Sequence, residues 1–423
     1  MNKDKLKIIV VHPRKQHSYR LAEALEKEGS LLYYITSVYN KEKSYTNFIG
    51  KFLKGDNKKR FLTRKSDYFD DKVVQFCEIR GLLLLGLYRI SPTSKITFYL
   101  EKSIHRNVYK KTIKFASRTN ANAIIFFGGL QEEHFKLKEK ICPNIKFIID
   151  VPSATNEYMQ TVLEHDIKIT HDEYTRIEQA STWSLNSKKK NPIRNILADG
   201  FLVGSSFVKR SLIPFGTDEK KVKIVPYGVD TSRFMKKNFD DMNEKVKFIF
   251  VGKIDRRKGI QHLLPAFEKL DSEKAELILV GRYNENDSLI REYSKRLNIK
   301  FMGFVTQDVV AKMYRTSDVF VLPSLGEGLA QVGIEAMSSG LPIIVTENSG
   351  VNDLIKTGKE GMIIPVSDTN ALYEAMKWFV DNKSEISKMG KYAYETAQKY
   401  TWNYYERNVC KAIKEILHID NGE

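Results

Sequence analysis

Two carboxylates eight residues apart, Glu327 and Glu335, stand in the stretch VFVLPSLGEGLAQVGIEAMSSGLPII between Val319 and Ile344. The apolar run Val319 to Leu322 reads as a strand, and Pro323-Ser324 turns the chain out of it. A short loop holding Glu327-Gly328 follows. Helix-prone residues then run from about Ala330 to Ser339, and Gly340 stops them ahead of a second strand. In an open parallel sheet, ligands bind where such loops leave the carboxyl ends of strands. A helix start at Leu329-Ala330-Gln331 aims unpaired backbone N–H groups and a positive dipole end at the loop, which suits a phosphate. At about 1.5 Å of rise per residue, Glu335 lies roughly 7 Å further along the helix than its first residues. That is about the span from a terminal phosphate to the ribose of a nucleoside diphosphate. One carboxylate can then accept hydroxyls from a sugar and the other from the ribose. Alone, such a pair is equally a solvated loop residue plus a helix-surface residue.

A basic pair precedes it. Phe248 to Ile260 (FIFVGKIDRRKGI) reads as a strand ending in Gly252, with Lys253 and Lys258 five residues apart across the turn. The stretch PSLGEGLAQVGIEAMSSGLPIIVTENSG closely resembles the E-x7-E segment of retaining glycosyltransferases of family 4, the group 1 glycosyl transferases. The resemblance implies that Glu335 binds the ribose and Glu327 the transferred sugar, with Gly328, Leu329, Ala330 and Gln331 also at the donor. Lys253 and Lys258 stand, after Gly252, where the family usually has Arg and Lys on the donor diphosphate. Lys253 keeps the charge but loses bidentate geometry. Gly303-Phe304-Val305 is similar to the family's nucleobase pocket, where backbone groups read the base edge.

The resemblance covers about residues 198 to 402 and includes ADGFLVGSS and IVPYGVDTSRF. It implies the α/β fold called GT-B: two Rossmann-like parallel-sheet domains facing a cleft, with a C-terminal helix crossing back to the first. The expected boundaries are 1–225 for an acceptor-binding domain, completed by about 401–423, and 226–400 for a nucleotide-sugar domain. The plain role of Pro226 and Gly228 is to set the hinge.

In the first half, Lys5 to Val11 reads as a buried strand, Leu21 to Glu28 as an amphipathic helix ending at Gly29, and Leu31 to Thr36 as a second strand. The intervening loop HPRKQHS has no G-x-G-x-x-G, so a dinucleotide site is not expected. The family's loop here is usually glycine-rich and faces the acceptor; His12, Arg14, Lys15 and His17 replace it, which suggests an anionic acceptor group. Ala123 to Phe127 and Lys146 to Ile149 are further strands. After the latter, Asp150 is the nearest match to the family's His or Asp beside the reacting sugar. DVPSATNEY departs from the family pattern, and a helix N-cap is the other reading of Asp150.

A chain of 423 residues with 42% hydrophobic residues can build two cores. The apolar run Leu82 to Tyr88 is far shorter than a membrane span. The N-terminus passes from charged residues straight into a strand, so no signal peptide is expected. Three widely spaced cysteines indicate neither a disulfide framework nor a metal site, and a cytoplasmic setting follows. The net charge of +17 suits phosphorylated substrates, an anionic membrane or nucleic acid, or is simply spread over solvated faces. From Lys41 to Lys65, nine Lys or Arg face two acidic residues, with Tyr45, Phe48, Phe52 and Phe61 interleaved. That composition suits an interfacial membrane segment; an exposed helical insertion or a nucleic-acid surface would share it.

The expected function is retaining transfer of a hexose-type sugar from a nucleotide diphosphate donor, a UDP-sugar, to a glycan or lipid-linked acceptor in cell-surface polysaccharide synthesis. The enzyme would be peripheral on the inner face of the membrane. No D-x-D occurs in the sequence, so neither a metal nor another cofactor is expected. The alternatives are a sugar-nucleotide epimerase on the same fold, or a basic nucleic-acid- or membrane-binding protein without transferase activity. Nucleic-acid binding is not expected, because carboxylates in a binding groove repel phosphates.

Overall fold

Short runs of β-branched, leucine and aromatic residues alternate with amphipathic helices, the pattern that builds parallel sheets covered on both faces. The computed structural model describes residues 6–15, 17–171, 196–238 and 244–418. The first sheet comprises β1 (Ile8–Val11), β2 (Leu31–Thr36), β3 (Val73–Gln75), β4 (Ala123–Phe127), β5 (Lys146–Val151), β6 (Gly200–Val203) and β7 (Val222–Ile224), in the spatial order 3-2-1-4-5-6-7. The second comprises β8 (Val246–Val251), β9 (Ala275–Val280), β10 (Ile299–Phe301), β11 (Val319–Leu322), β12 (Ile343–Thr346) and β13 (Gly361–Ile364), in the order 10-9-8-11-12-13. All pairings are parallel. Each sheet reverses its winding at its own first strand, between β1 and β4 and between β8 and β11. That is where a doubly wound sheet opens a crevice for ligand.

The tail of the chain returns to the first sheet. The helix Trp402–Ile416 buries Tyr405, Val409, Ile413 and Ile416 at helical spacing. Its polar flank pairs Glu406 with Lys27, Lys414 with Glu28, and Glu415 with Lys223. It enters beside the linker: Val229 N–H donates to the Tyr400 carbonyl at 2.9 Å. A Cβ on Gly228 would stand 2.4 Å from the nitrogen of Trp402, so the two crossing segments touch backbone to backbone.

Several elements add detail to the sequence reading. Leu82 to Tyr88 belongs to the helix Glu78–Ile90, and Val73–Gln75 adds an edge strand. The strand Ile299–Phe301 ends ahead of the Gly303-Phe304-Val305 turn. A further helix, Lys383–Ala397, covers the second sheet through Thr396, whose hydroxyl donates to Glu360. The basic stretch Lys41 to Lys65 folds as two short helices, Tyr45–Phe52 and Gly55–Leu62, inserted between β2 and β3. Phe61 turns inward, whereas Tyr45, Phe48 and Phe52 face outward. Among the described residues, no helix is long and apolar enough to cross a membrane.

Candidate active site

The loops after β8 and β11 meet because Gly259 permits it. Gly259 has φ 78°, a conformation that disfavours side chains, and a Cβ there would stand 1.9 Å from the Pro323 carbonyl oxygen. This approach carries Lys258 to Glu327. The Lys258 amine lies 2.6 Å from Glu327 Oε1, the Ser324 hydroxyl donates to the same oxygen at 2.7 Å, and an Arg257 nitrogen is 3.5 Å away. Burial opposes ionisation of Glu327, but Lys258 and then Arg257 overcome it and hold the carboxyl below its ordinary value. Lys258 also lies over Gly252, its Cε 3.7 Å from where a Cβ would be. Lys253 points into solvent, 68% exposed, with Asp255 at 3.0 Å.

Glu327 is flanked by glycines for a reason visible across the cleft. A Cβ at Gly326 would stand 2.4 Å from the sulfur of Met159, and one at Gly328 would stand 1.8 Å from the carbonyl oxygen of Pro152. Gly328 also accepts from the Ser205 hydroxyl. Leu329 is buried, its Cβ 3.2 Å from where a side chain on Gly204 would begin, a position that Tyr227 also crowds. Ala330 N–H is bound to the Ser349 carbonyl, and no side chain caps the following helix, Gln331–Ser338. Gln331 reaches back to the Gly228 carbonyl at 3.3 Å.

Glu335 sits on that helix, half-buried. Among the described residues no donor reaches its carboxylate. Burial pushes its carboxyl up to about 7, against the pull of Arg233. A carboxylate so placed is short of hydrogen bonds that ligand hydroxyls could supply. At the far side of the second sheet's crevice, Gly303 has φ 65° and gives its carbonyl to Gly281 N–H at 2.9 Å. The adjoining Phe304 ring is 65% exposed, with the Arg282 guanidinium 5.1 Å from its centre, and Val305 follows it in the same turn.

On the first domain, His17 and Asp150 come together from residues 133 apart, Nε2 to Oδ1 at 3.0 Å. The Tyr227 hydroxyl joins them 3.3 Å from the same ring nitrogen. Asp150 is therefore no helix cap. Thr155 caps the helix Asn156–Thr170, because β5 runs on to Val151 and the chain turns only after it. His12 is buried against Phe127 and His105, accepts Arg14 N–H on Nδ1 at 2.9 Å, and is held down to about 3 by burial and then by His105. It shapes the loop that carries Arg14, whose guanidinium pairs with Glu101 at 2.6 Å and donates to Tyr88 at 3.0 Å. Tyr227, Arg257 and Ser324 were missed in the sequence. Tyr227 lies inside the PYGVD turn, read there only as a hinge.

Residues 231–396 match the family described as glycosyl transferases group 1. The matched stretch spans the whole of the second sheet. An uncharacterized glycosyltransferase of Methanocaldococcus jannaschii is 26% identical over 226 residues, 48% of this chain and 57% of that protein. The UDP-Gal:alpha-D-GlcNAc-diphosphoundecaprenol alpha-1,3-galactosyltransferase of Escherichia coli is 29% identical over 183 residues, covering 39% and 47%. The chain thus spans about half the length of the curated relatives it matches. The crystal structure of Anabaena HepE in complex with UDP and glucose superposes with a TM-score of 0.60 at 14% identity, covering 97% of this chain and all of that one. The two sheets are therefore those of a GT-B fold.

Proposed function

We propose that this chain transfers a hexose-type sugar from a UDP-sugar, with retention at the anomeric carbon, to a glycan or lipid-linked acceptor of cell-surface polysaccharide synthesis. The observation that carries the reading is Lys258 held 2.6 Å from Glu327 beside the uncapped start of the helix Gln331–Ser338. Cation, helix dipole and sugar-directed carboxylate then converge where a diphosphate meets its sugar. Lys258 and Lys253 neutralise the diphosphate as it leaves. Glu327 holds the sugar, Glu335 accepts the ribose hydroxyls, and Phe304, between Gly303 and Val305, offers a face for the base. In this reading residues 226–400 hold the donor, and residues 1–225, completed by about 401–423, hold the acceptor. Arg14 and His17 face the acceptor, His12 shapes their loop, and Asp150 orients His17.

The step is a front-face displacement. The bond from the anomeric carbon to the phosphate oxygen breaks, the acceptor oxygen bonds from the same side, and its proton passes to the leaving phosphate. Charge on that phosphate is answered by lysines and backbone N–H groups, so the proposed reaction uses no metal. HepE, crystallised with UDP and glucose, supports the choice of base. The diphosphoundecaprenol in the Escherichia coli relative's name supports a lipid-linked acceptor. Phe48 and Phe52, exposed beside Lys51 and Lys54, support a peripheral position on the inner face of the membrane.

Calorimetric titration of UDP, GDP and ADP with and without EDTA tests the donor side, followed by turnover with UDP-hexoses. UDP is expected to bind preferentially and to be indifferent to chelation. Preference for another base overturns the donor assignment, and loss of binding on chelation overturns metal independence.

A further inference from the structure

One helix of the first domain runs along both donor loops. The helix Asn156–Thr170 buries Met159, Leu163, Asp166 and Ile167, the i, i+4, i+7 and i+8 positions of a single face. Three of these are apolar and one carries a charge. Met159 sits against Gly326, beside Glu327, and packs with Leu163 and with Leu325 of the same loop. Two turns further on, roughly 10 Å along the axis, Asp166 meets the start of the helix Ile260–Glu268, which follows directly on Lys258 and Gly259.

Asp166 is wholly buried. Its Oδ1 accepts from His262 Nε2 and from the Ser367 hydroxyl, each at 2.6 Å, and its Oδ2 accepts from the Gln261 amide at 2.8 Å. Among the described residues these are the donors at its carboxylate, and all three belong to the second domain. Burial opposes ionisation of Asp166, but His262, by hydrogen bond and charge, and then Ser367 and Gln261 hold the carboxyl below its ordinary value. The grip reaches a second helix, because His262 Nδ1 lies 2.7 Å from the hydroxyl of Thr369, the first residue of Thr369–Asp381. Ser367 itself has φ 60°, a left-handed conformation that a serine holds only where its surroundings insist on it.

A buried carboxylate is tolerated only while its donors are in place. Were the domains to part, Asp166 would lose all three at once. With the domains together, it fixes residues 260–262 from outside their own domain. That turn is continuous with Lys258: His262 N–H donates to the Gly259 carbonyl at 3.0 Å, and Lys258 N–H to the Asp255 carboxylate at 3.2 Å. A shift of the helix start therefore moves the amine that lies 2.6 Å from Glu327.

We propose that Asp166 is a positioning residue for the donor site: seated on the start of the helix Ile260–Glu268, it sets Lys258 against Glu327, so that the first domain completes the diphosphate site of the second. The inference rests on the transferase reading above, in which Lys258 answers the charge of the diphosphate.

The test is a double-mutant cycle of Asp166→Asn and Lys258→Ala, read by calorimetric affinity for UDP and UMP beside thermal melts. Asp166→Asn keeps the shape but removes the charge. It is expected to weaken UDP about fivefold or more and to leave UMP nearly unchanged. In the Lys258→Ala background the same change should cost less than about twofold, because the contact it sets is already gone. Equal losses in both backgrounds would make Asp166 a support of the fold alone and overturn the proposal. So would a folded Asp166→Asn protein that binds UDP like the parent. Should Asp166→Asn fail to fold, Ser367→Gly is the milder variant, removing one donor while relaxing the backbone at φ 60°. It should weaken UDP in the same selective way, and unchanged UDP affinity there overturns the proposal too. Failure of the parent to bind UDP would count against the transferase reading instead. Hydrogen exchange on the ligand-free proteins would still read the positioning: Asp166→Asn should speed exchange of the amides of residues 260–264, and unchanged exchange would refute it.

Discussion

At the scale of single residues, the two glutamates of the E-x7-E stretch live in opposite environments. Glu327 is surrounded by Lys258, Ser324 and Arg257, whereas Glu335 is half-buried with no donor at its carboxylate among the described residues. Glu327→Gln is expected to leave UDP binding nearly intact and to lower turnover by roughly a hundredfold, the effect of losing one well-placed electrostatic contact. Glu335→Gln should instead weaken UDP and UDP-sugar alike, raising the donor KM more than it lowers kcat. Nucleotide affinities beside steady-state kinetics check both, and exchanged phenotypes would exchange the assigned roles. The carboxyl of Glu335, pushed up to about 7, also gives a pH signature. A folded-state value above the unfolded one means that the fold binds this proton more tightly. Its contribution to stability is therefore present at low pH and fades as pH rises from the ordinary carboxylate range to about 7. Accepting two ribose hydroxyls favours the ionised form, so UDP affinity should climb as pH rises through about 7 and then level off. The same titration on Glu335→Gln should lose that component and keep only the one from UDP's own terminal phosphate, whose second pKa is about 6.

At the scale of elements, glycines at loop crossings decide whether these side chains meet. Gly259→Ala places a methyl where the Pro323 carbonyl stands, at a φ of 78° that alanine resists. The loop after β8 must then withdraw from the loop after β11, taking Lys258 from Glu327. The expected outcome is a loss of about 1–3 kcal/mol of stability, with UDP affinity falling more than UMP affinity; thermal melts and calorimetry read the two effects. Much of this supersecondary structure is legible in the sequence. Val319 to Leu322 is a bare apolar run closed by Pro323, and Leu21 to Glu28 carries a full helical stripe ending in Gly29. What stayed hidden has physical causes. The run LLLL within Glu78–Ile90 erases the 3.6-residue period, and the edge strand VVQ is too short to show alternation. Asp150 could be read as a cap because a polar residue after a strand commonly is one. Its partner His17 is 133 residues away, and Tyr227 stands 210 residues from His17, contacts that no local pattern announces. The donor-side loops were readable because strand, turn and helix lie consecutively; the acceptor side is assembled from segments far apart.

At the scale of the molecule, the first domain exposes large apolar side chains as well as a basic insertion. Phe48 and Phe52 are 61% and 72% exposed, Ile90 and Ile96 84% and 70%, within the half that also holds the basic helices Tyr45–Phe52 and Gly55–Leu62. Each basic residue near an anionic bilayer contributes about 1 kcal/mol, screened within a Debye length. Co-sedimentation with anionic liposomes should therefore decline as salt rises, and Phe48→Ser with Phe52→Ser should release most of the bound protein. Equal binding to neutral vesicles would argue against a charge-guided surface, and tight binding to RNA would transfer the face to another partner. The two domains are also joined through Asp166 of the first. Its carboxylate accepts from His262 and Ser367, each at 2.6 Å, and from Gln261 at 2.8 Å, all three from the second domain.

The seam at Gly326 and Gly328 leaves no room for a methyl between one half of the molecule and the other. If the sugar is to reach Glu327 as proposed, a nucleotide would have to wait for the halves to part, since such a joint leaves it no way past. The seam would then act as a shutter, with one exposure for each sugar delivered. The tempo of the enzyme would then be set by how often the halves separate, and a thickened solvent would slow it even where the chemistry is fast.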